Sequence, residues 1–89
     1  PETEEKLRVL DDILQSAEFK GSKRYQDLLR FLVEESIANR TPKEFTIAHQ
    51  FFERDSSFEP SEDPTVRVYL NNLRKKLDHY YLTLEEPPR

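Results

Sequence analysis

Apolar residues recur at steps of three or four along most of the chain, the spacing of one face of an α-helix. Four such stripes predict helices over about residues 4–17, 23–38, 44–53 and 64–84. The first two stripes are Leu7, Leu10, Ile13, Leu14 and Ala17, then Tyr25, Leu28, Leu29, Leu32, Val33 and Ile37, with Phe31 at the edge. The last two are Ile47, Ala48, Phe51 and Phe52, then Val66, Leu70, Leu73, Leu77, Tyr80, Tyr81 and Leu84. Strand patterns are nearly absent, so we predict an all-α fold.

The residues that flank the first three stripes predict where those helices begin and end. Thr3 and Ser22 have side chains that can cap the first two helices, and Gly21 is expected to break the first helix or lie in the turn after it. The segment 41–44, Thr-Pro-Lys-Glu, fits a capping box with proline at the first helical position. A competing interpretation keeps residues 43–45 extended and begins the third helix near residue 46.

A polar loop over residues 54–62 separates the third and fourth stripes. Phe58, an isolated aromatic residue in this loop, is expected to anchor it to the core. Asp63 and Pro64 then suit the cap and the first position of the last helix. Two prolines at positions 87 and 88 end the helical pattern.

The composition narrows the class of protein. The length of 89 residues predicts a single domain over residues 1–89. With one glycine and no cysteine, the chain has no glycine-rich phosphate loop, disulfide or thiolate metal site. No apolar run approaches the roughly 20 residues that a membrane span needs, and the acidic N-terminus is not a signal peptide. We therefore expect a cytoplasmic protein that has no membrane contact, metal or cofactor.

Charge is distributed unevenly along the chain. Residues 1–63 carry nine Lys/Arg and fifteen Asp/Glu, a net charge of −6, whereas residues 64–89 carry five and three, a net charge of +2. A strongly basic domain would be typical of nucleic-acid binding. This chain instead places a locally basic last helix on an acidic body, so its total charge argues against DNA binding while its distribution favours it.

The predicted packing stripe leaves an outward surface on the last helix that is rich in cations, amides and hydroxyls. Its members are Thr65, Arg67, Val68, Tyr69, Asn71, Asn72, Arg74, Lys75, Lys76, Asp78 and His79. Arginine can bind guanine through two hydrogen bonds, asparagine can bind adenine, and cations neutralise phosphates. Solvated helix faces are also commonly charged, and the helix dipole alone favours cations towards the carboxyl end. The surface is therefore compatible with DNA binding without requiring it.

The segment 63–77, DPTVRVYLNNLRKKL, resembles the recognition helix of the OmpR/PhoB winged helix-turn-helix family. Segments 19–24, 29–34, 43–48, 51–54, 58–60 and 77–81 are similar to an N-terminal region of bacterial multidomain proteins. Those proteins continue into TPR, β-propeller or adenylate-cyclase-like modules. The resemblance implies a four-helix domain with a helix-turn-helix, acting as the DNA-binding module of a bacterial transcriptional regulator.

The resemblance also implies roles for single residues. Three residues would face base edges: Arg67, Val68 and Asn72. Others would hold phosphates or orient the helix: Thr65, Tyr69, Arg74, Lys75 and Lys76, with Lys23 and Arg24 as further phosphate contacts. The loop 54–62 would lie where some members of the family touch RNA polymerase. The family's preceding sheet is replaced here by a helix, and its C-terminal wing should follow Tyr81, so we expect either a trimmed or a wingless variant.

The sequence also bears on two other classes of function. An enzyme is not expected, because the two histidines, His49 and His79, lie on different predicted helices and no nucleophile–base set accompanies the paired acids Glu34 and Glu35. A protein-interaction or dimerisation module is the alternative to DNA binding. It would use the acidic body and the end of the last helix, where three residues extend beyond the stripe that a small core needs: Tyr80, Tyr81 and Leu84. That alternative includes a homodimer.

Overall fold

The computed structural model describes residues 1–85 and contains four α-helices. They are α1 (Glu2–Leu14), α2 (Lys23–Ile37), α3 (Glu44–Gln50) and α4 (Thr65–Glu85). No strand occurs within residues 1–85, so the all-α prediction is confirmed. In the same residues no helix combines the length and the apolar character that crossing a membrane requires. The prolines predicted to end the last helix, at positions 87 and 88, lie outside the described residues.

Helix α2 lies at the centre of the fold: α1 packs on one part of it and α4 on another, while α3 packs on α4. The core is aliphatic and aromatic, and its buried members are Leu10, Ile13, Phe19, Leu28, Leu29, Ile47, Ala48, Phe58, Val66 and Leu73. Phe58 is buried, as predicted for the residue that anchors the loop. The largest fully buried side chains are those of Phe19, Leu28 and Val66. The predicted stripes therefore supply most of the core, and burying these faces is what holds the helices together.

Helix α1 differs from its prediction at both ends. It begins at Glu2, so Thr3 lies within the helix instead of capping it, and it ends at Leu14, three residues early. Ala17 consequently lies in the turn that follows and is exposed. Leu7 is also exposed, at 45%, because α1 lies at the edge of the fold and the neighbouring helix covers only one side of it. The turn closes instead on Phe19, which is fully buried.

Helix α3 begins at Glu44 after an extended Lys43, so the predicted capping box at residues 41–44 is wrong. The helix ends at Gln50 rather than near residue 53. Its last turn closes with a bond from the Arg54 N–H to the Ala48 carbonyl (2.9 Å) across Glu53, whose φ is +54°. The two bonded residues are six positions apart, one more than in the 6→1 bond of a Schellman motif, so the bond closes a wider turn whose left-handed residue is Glu53. The polar connection therefore spans residues 51–64, longer than predicted.

Helix α2 ends one residue earlier than predicted, in a similar left-handed turn at Asn39 (φ +59°). The Arg40 N–H donates to the Glu35 carbonyl at 2.8 Å, and the Arg40 guanidinium donates to the Glu35 carboxylate at 2.6 and 2.8 Å. The Glu35 side chain is 8% exposed, so the two paired acids differ: Glu34 is exposed to solvent, and the Glu35 carboxylate is held inside the fold. Its hydrogen bond and charge raise the pKa of the Arg40 guanidinium.

Helix α4 begins at Thr65, one residue after the predicted Pro64, and extends to Glu85. Asp63 caps its amino end as predicted: its carboxylate accepts hydrogen bonds from the Thr65 N–H at 3.0 Å and the Thr65 hydroxyl at 2.5 Å. These two bonds, assisted by the charge of Arg54, lower the pKa of the Asp63 carboxyl. The cap therefore fixes where the outward surface of α4 starts.

Candidate nucleic-acid interface

Four of the predicted DNA-contacting residues form an exposed strip along the outward side of α4. They are Val68, Asn71, Arg74 and Lys75. Positions 68, 71 and 75 follow at steps of three and four, so their side chains share one face of the helix. Within residues 1–85, the side chains of Arg74 and Lys75 make no ion pair or hydrogen bond. This strip, residues 68, 71, 74 and 75, is the basic and neutral part of the predicted surface that is free to meet a ligand. Asp78, which is also exposed, follows it one turn further on.

Arg67 is exposed but is engaged with α3 and the preceding loop. Its Nε lies 3.3 Å from the Glu44 Oε1, and its Nη2 donates to the Pro60 carbonyl at 2.6 Å. The Glu44 Oε1 has no solvent-accessible surface and, among the described residues, accepts no hydrogen bond of good geometry. The 3.3 Å contact is therefore an ionic approach rather than a directed bond. The pair fixes Arg67 at the boundary between α3 and α4.

Tyr69 and Asn72 are half-buried and face the amino-terminal part of α2. The Asn72 amide donates to the Tyr25 hydroxyl at 3.1 Å, and the rings of Tyr25 and Tyr69 are centred 5.2 Å apart. The Phe52 ring is centred 4.9 Å from the Tyr69 ring. Offset and tilted ring pairs of this kind stabilise packing beyond the area they bury. The structure thus brings two predicted contact residues into an aromatic cluster between helices.

Lys76 joins α4 to the turn between α1 and α2. Its ammonium donates to the Glu18 carbonyl at 3.1 Å and to the Ser22 hydroxyl at 3.3 Å, and it lies 5.4 Å from the centre of the Tyr25 ring. The Ser22 hydroxyl accepts this bond and makes no hydrogen bond that caps α2, although Ser22 occupies the predicted cap position. One turn further on, the His79 Nδ1 lies 2.6 Å from the Glu18 carboxylate. Lys76 is therefore placed to orient α4.

The remaining basic residues predicted as phosphate contacts lie at the start of α2. The Arg24 guanidinium lies 4.7 and 5.1 Å from the ring centres of Phe51 and Phe52, and the Lys23 ammonium pairs with Asp27 at 2.9 Å. Both side chains are exposed. The aromatic cluster and Lys76 connect this end of α2 to α4. The amino end of α2 thus carries two further exposed cations, and Thr65 is half-buried at the amino end of α4.

The three residues predicted to meet a protein partner are placed differently from one another. Tyr80 is half-buried against the core, whereas Tyr81 and Leu84 are exposed near the end of α4. Leu82 is exposed as well, and sequence reasoning missed it because it lies on the polar flank of the helix. The sequence hint of an exposed Leu82 was that an apolar residue interrupts an otherwise polar flank of the helix.

Sequence reasoning also missed the residues that hold the candidate contacts. Glu44, Tyr25 and Glu18 bind Arg67, Asn72 and Lys76 from positions 23 to 58 residues away. Periodicity within one helix carries no signal of such pairs.

No three histidine, aspartate or glutamate side chains within residues 1–85 converge to hold a metal ion. Comparisons with known protein families, curated proteins and solved structures find no match for this chain.

Proposed function

We propose that this domain is the DNA-binding module of a bacterial transcriptional regulator and that α4 is its recognition helix. In this proposal α3 and α4 form a helix-turn-helix of winged-helix type. The observation that supports it is the exposed strip on α4, where Arg74 and Lys75 have no anionic partner within residues 1–85 and adjoin the side chains of Val68 and Asn71. Cations of this kind neutralise phosphates, while an amide and a methyl-bearing side chain can contact base edges.

The contacts within the fold divide the predicted DNA-binding residues into two roles. Arg74 and Lys75 would bind phosphates, and Val68 and Asn71 would approach bases. Tyr69, Asn72 and Lys76 are half-buried and hydrogen-bonded or stacked against α2, so they would position the helix. Thr65 would act in the same way through the Asp63 cap. Arg67 would reach DNA only after leaving Glu44.

The acidic body sets the expected strength of binding. Because residues 1–63 carry a net charge of −6, long-range attraction to DNA is weak and the short-range cations on α4 must supply the favourable term. We therefore expect a dissociation constant on the order of 10⁻⁶ to 10⁻⁴ M at physiological salt, the range of non-specific binding. The affinity should fall steeply as salt is raised.

The test is a salt-dependent titration of labelled duplex DNA with single variants. Arg74→Ala and Lys75→Ala should each weaken binding and reduce the slope of log K against log salt by about one, because each removes one phosphate contact. Arg8→Ala is the matched control, since Arg8 is an exposed helical arginine on α1 that has no ion pair within residues 1–85. It should leave the slope unchanged. Equal losses in all three variants would mean that binding responds to total charge and not to α4, and unchanged binding in the two α4 variants would refute the proposal.

A further inference from the structure

An apolar groove of about 410 Å³ opens between α1, α2 and α4. Its lining is aliphatic and aromatic: Val9, Ile13, Leu29, Val33, Leu77 and Tyr81. Val9 and Tyr81 are 40% and 47% exposed, so these walls are open to solvent in this conformation. Apolar side chains exposed together around a groove are typical of an interaction site.

The charges at this groove lie on its rim and are mostly negative. Glu2 and Glu5 line it from the first two turns of α1, and both are exposed. Lys6, the one basic residue in the lining, is already engaged: its ammonium lies 3.7 Å from the Glu2 carboxylate and 3.5 Å from the Ser36 hydroxyl. Glu5 makes no ion pair within residues 1–85. The three charged residues of the lining therefore sum to a net charge of −1, and Glu5 is the carboxylate that a ligand meets without a partner.

We propose that this groove binds an amphipathic helix of a partner protein, with an apolar stripe in the groove and Lys or Arg beside the rim. The lining extends from residue 2 to residue 13 of α1, about 16 Å or three helical turns, which matches a short helix lying along it. Small-molecule sites usually place a few polar groups so that they converge on the ligand. Here the floor is apolar and the charges are confined to the edge, which suits a helix.

A second copy of this chain fits the groove less well. Helix α1 contains five acidic and two basic residues, a net charge of −3. A two-fold dimer brings the same surface of both copies together, so pairing through this groove would oppose two acidic helices. A basic partner avoids that repulsion and gains electrostatic complementarity.

The experiment uses the full chain and three labelled peptides of about 12 residues, long enough for three helical turns. The first has a leucine stripe flanked by lysines, the second has the same stripe flanked by glutamates, and the third has the first peptide's composition with the stripe permuted. By fluorescence anisotropy, the lysine-flanked peptide should bind at least about tenfold more tightly than either of the others. Val9→Asp should weaken its binding by about tenfold or more, since it places a charge in the apolar wall.

The rim is tested by Glu2→Gln with Glu5→Gln, which should weaken the lysine-flanked peptide by about two- to thirtyfold, as expected for two exposed ion pairs. Glu59→Gln with Glu62→Gln removes the same charge from the distant loop and should have little effect. Circular dichroism checks that each variant is folded, and Tyr81→Ala replaces Val9→Asp if the latter is not.

Three outcomes would overturn the proposal. In the first, the permuted peptide binds as tightly as the striped one; in the second, the wall variants leave peptide binding unchanged. Either result would show that the peptide is held by charge attraction and not by the groove. A dimer mass that returns to a monomer in Val9→Asp would show that a second copy is the occupant. The proposal is independent of DNA binding, since Lys75→Ala, on a different face of α4 from Leu77 and Tyr81, should weaken DNA binding and should not change peptide affinity.

Discussion

At the scale of single residues, Glu53 occupies a backbone conformation that glycine adopts more readily. Its φ of +54° brings the side chain close to its own backbone, a cost that glycine does not incur. We expect Glu53→Gly to raise the free energy of unfolding by about 0.5–1 kcal/mol, measured by urea denaturation. The gain should come from the backbone alone, because the Glu53 side chain is exposed and makes no hydrogen bond within residues 1–85.

Two further variants isolate that backbone effect. Glu53→Ala also removes the side-chain charge but retains a Cβ, so it should give no comparable gain. Asn39→Gly should change stability less than Glu53→Gly, because asparagine tolerates the left-handed region better than most residues do. A stabilisation by Glu53→Ala equal to that by Glu53→Gly would attribute the effect to charge instead.

Asp63 makes the stability of the fold depend on acid. The hydroxyl and N–H of Thr65 lower the pKa of the Asp63 carboxyl below its unfolded value of about 3.9. A carboxyl whose pKa is lower in the folded state stabilises the fold above its unfolded pKa, and that contribution is lost as the pH falls through the folded pKa. Unfolding free energies measured between about pH 5 and pH 2 should therefore fall less steeply in Asp63→Asn than in the wild type.

The same slope should also be shallower in Thr65→Val, which removes the hydroxyl that contributes most to the shift while leaving Asp63 in place. An unchanged slope in both variants would show that the cap is not formed in solution. Asp55, whose pKa is lowered by the hydroxyl and N–H of Ser57, should add its own contribution to the acid dependence.

At the scale of the helices, α4 is held against α2 by polar contacts as well as by its apolar stripe. The Asn72 amide donates to the Tyr25 hydroxyl in a half-buried setting, and a net hydrogen bond of this kind is worth about 1 kcal/mol. We expect Asn72→Ala to lower the unfolding free energy by that amount. The adjacent Asn71→Ala should change it by less than about 0.5 kcal/mol, because Asn71 is exposed. Equal effects in thermal or urea denaturation would contradict the assigned packing of α4.

The contrast between these two asparagines also shows how far the sequence could predict the elements. The steps from Val66 to Leu77 identified α4 because a helix must bury one continuous face. The same periodicity places Asn71 and Asn72 on the polar side of α4. It does not predict that Tyr25 on α2 forms a hydrogen bond with Asn72 and not with Asn71. Leu7 shows the opposite error. Its stripe correctly identifies the apolar face of α1, but the spacing does not predict how much of that face a neighbouring helix buries, and Leu7 is exposed.

The turn between α1 and α2 was harder to predict for a related reason. Phe19 lies between two helical stripes, so periodicity gave it no place, yet it is fully buried. The Gln26 amide satisfies the carbonyls of Leu14 and Phe19 at 3.1 and 3.0 Å, which lets this non-helical segment enter the core. Such contacts depend on how helices pack and not on spacing along one of them.

At the scale of the whole molecule, Phe19 joins the turn to the shared core, so the fold should unfold as one unit. Phe19→Ala should lower the unfolding free energy by about 3–5 kcal/mol, a large part of the total for a domain of this size. Phe45→Ala is the matched control, because that ring is exposed, and it should cost about 1 kcal/mol or less. Calorimetry or urea denaturation would measure both. Similar losses in the two variants would contradict the placement of Phe19 at the centre of the core.

The contact between Arg67 and Glu44 makes any role of Arg67 in recognition conditional. A ligand that recruits this guanidinium must compete with a carboxylate already at 3.3 Å and with the Pro60 carbonyl at 2.6 Å. The loss of these two contacts would be offset only by a partner that offers a better-aligned pair of acceptors, such as the edge of a guanine. In the proposed complex, Arg67 would then add little to affinity for an arbitrary sequence and more to the difference between sequences. Glu44 would act as an internal competitor that sharpens discrimination.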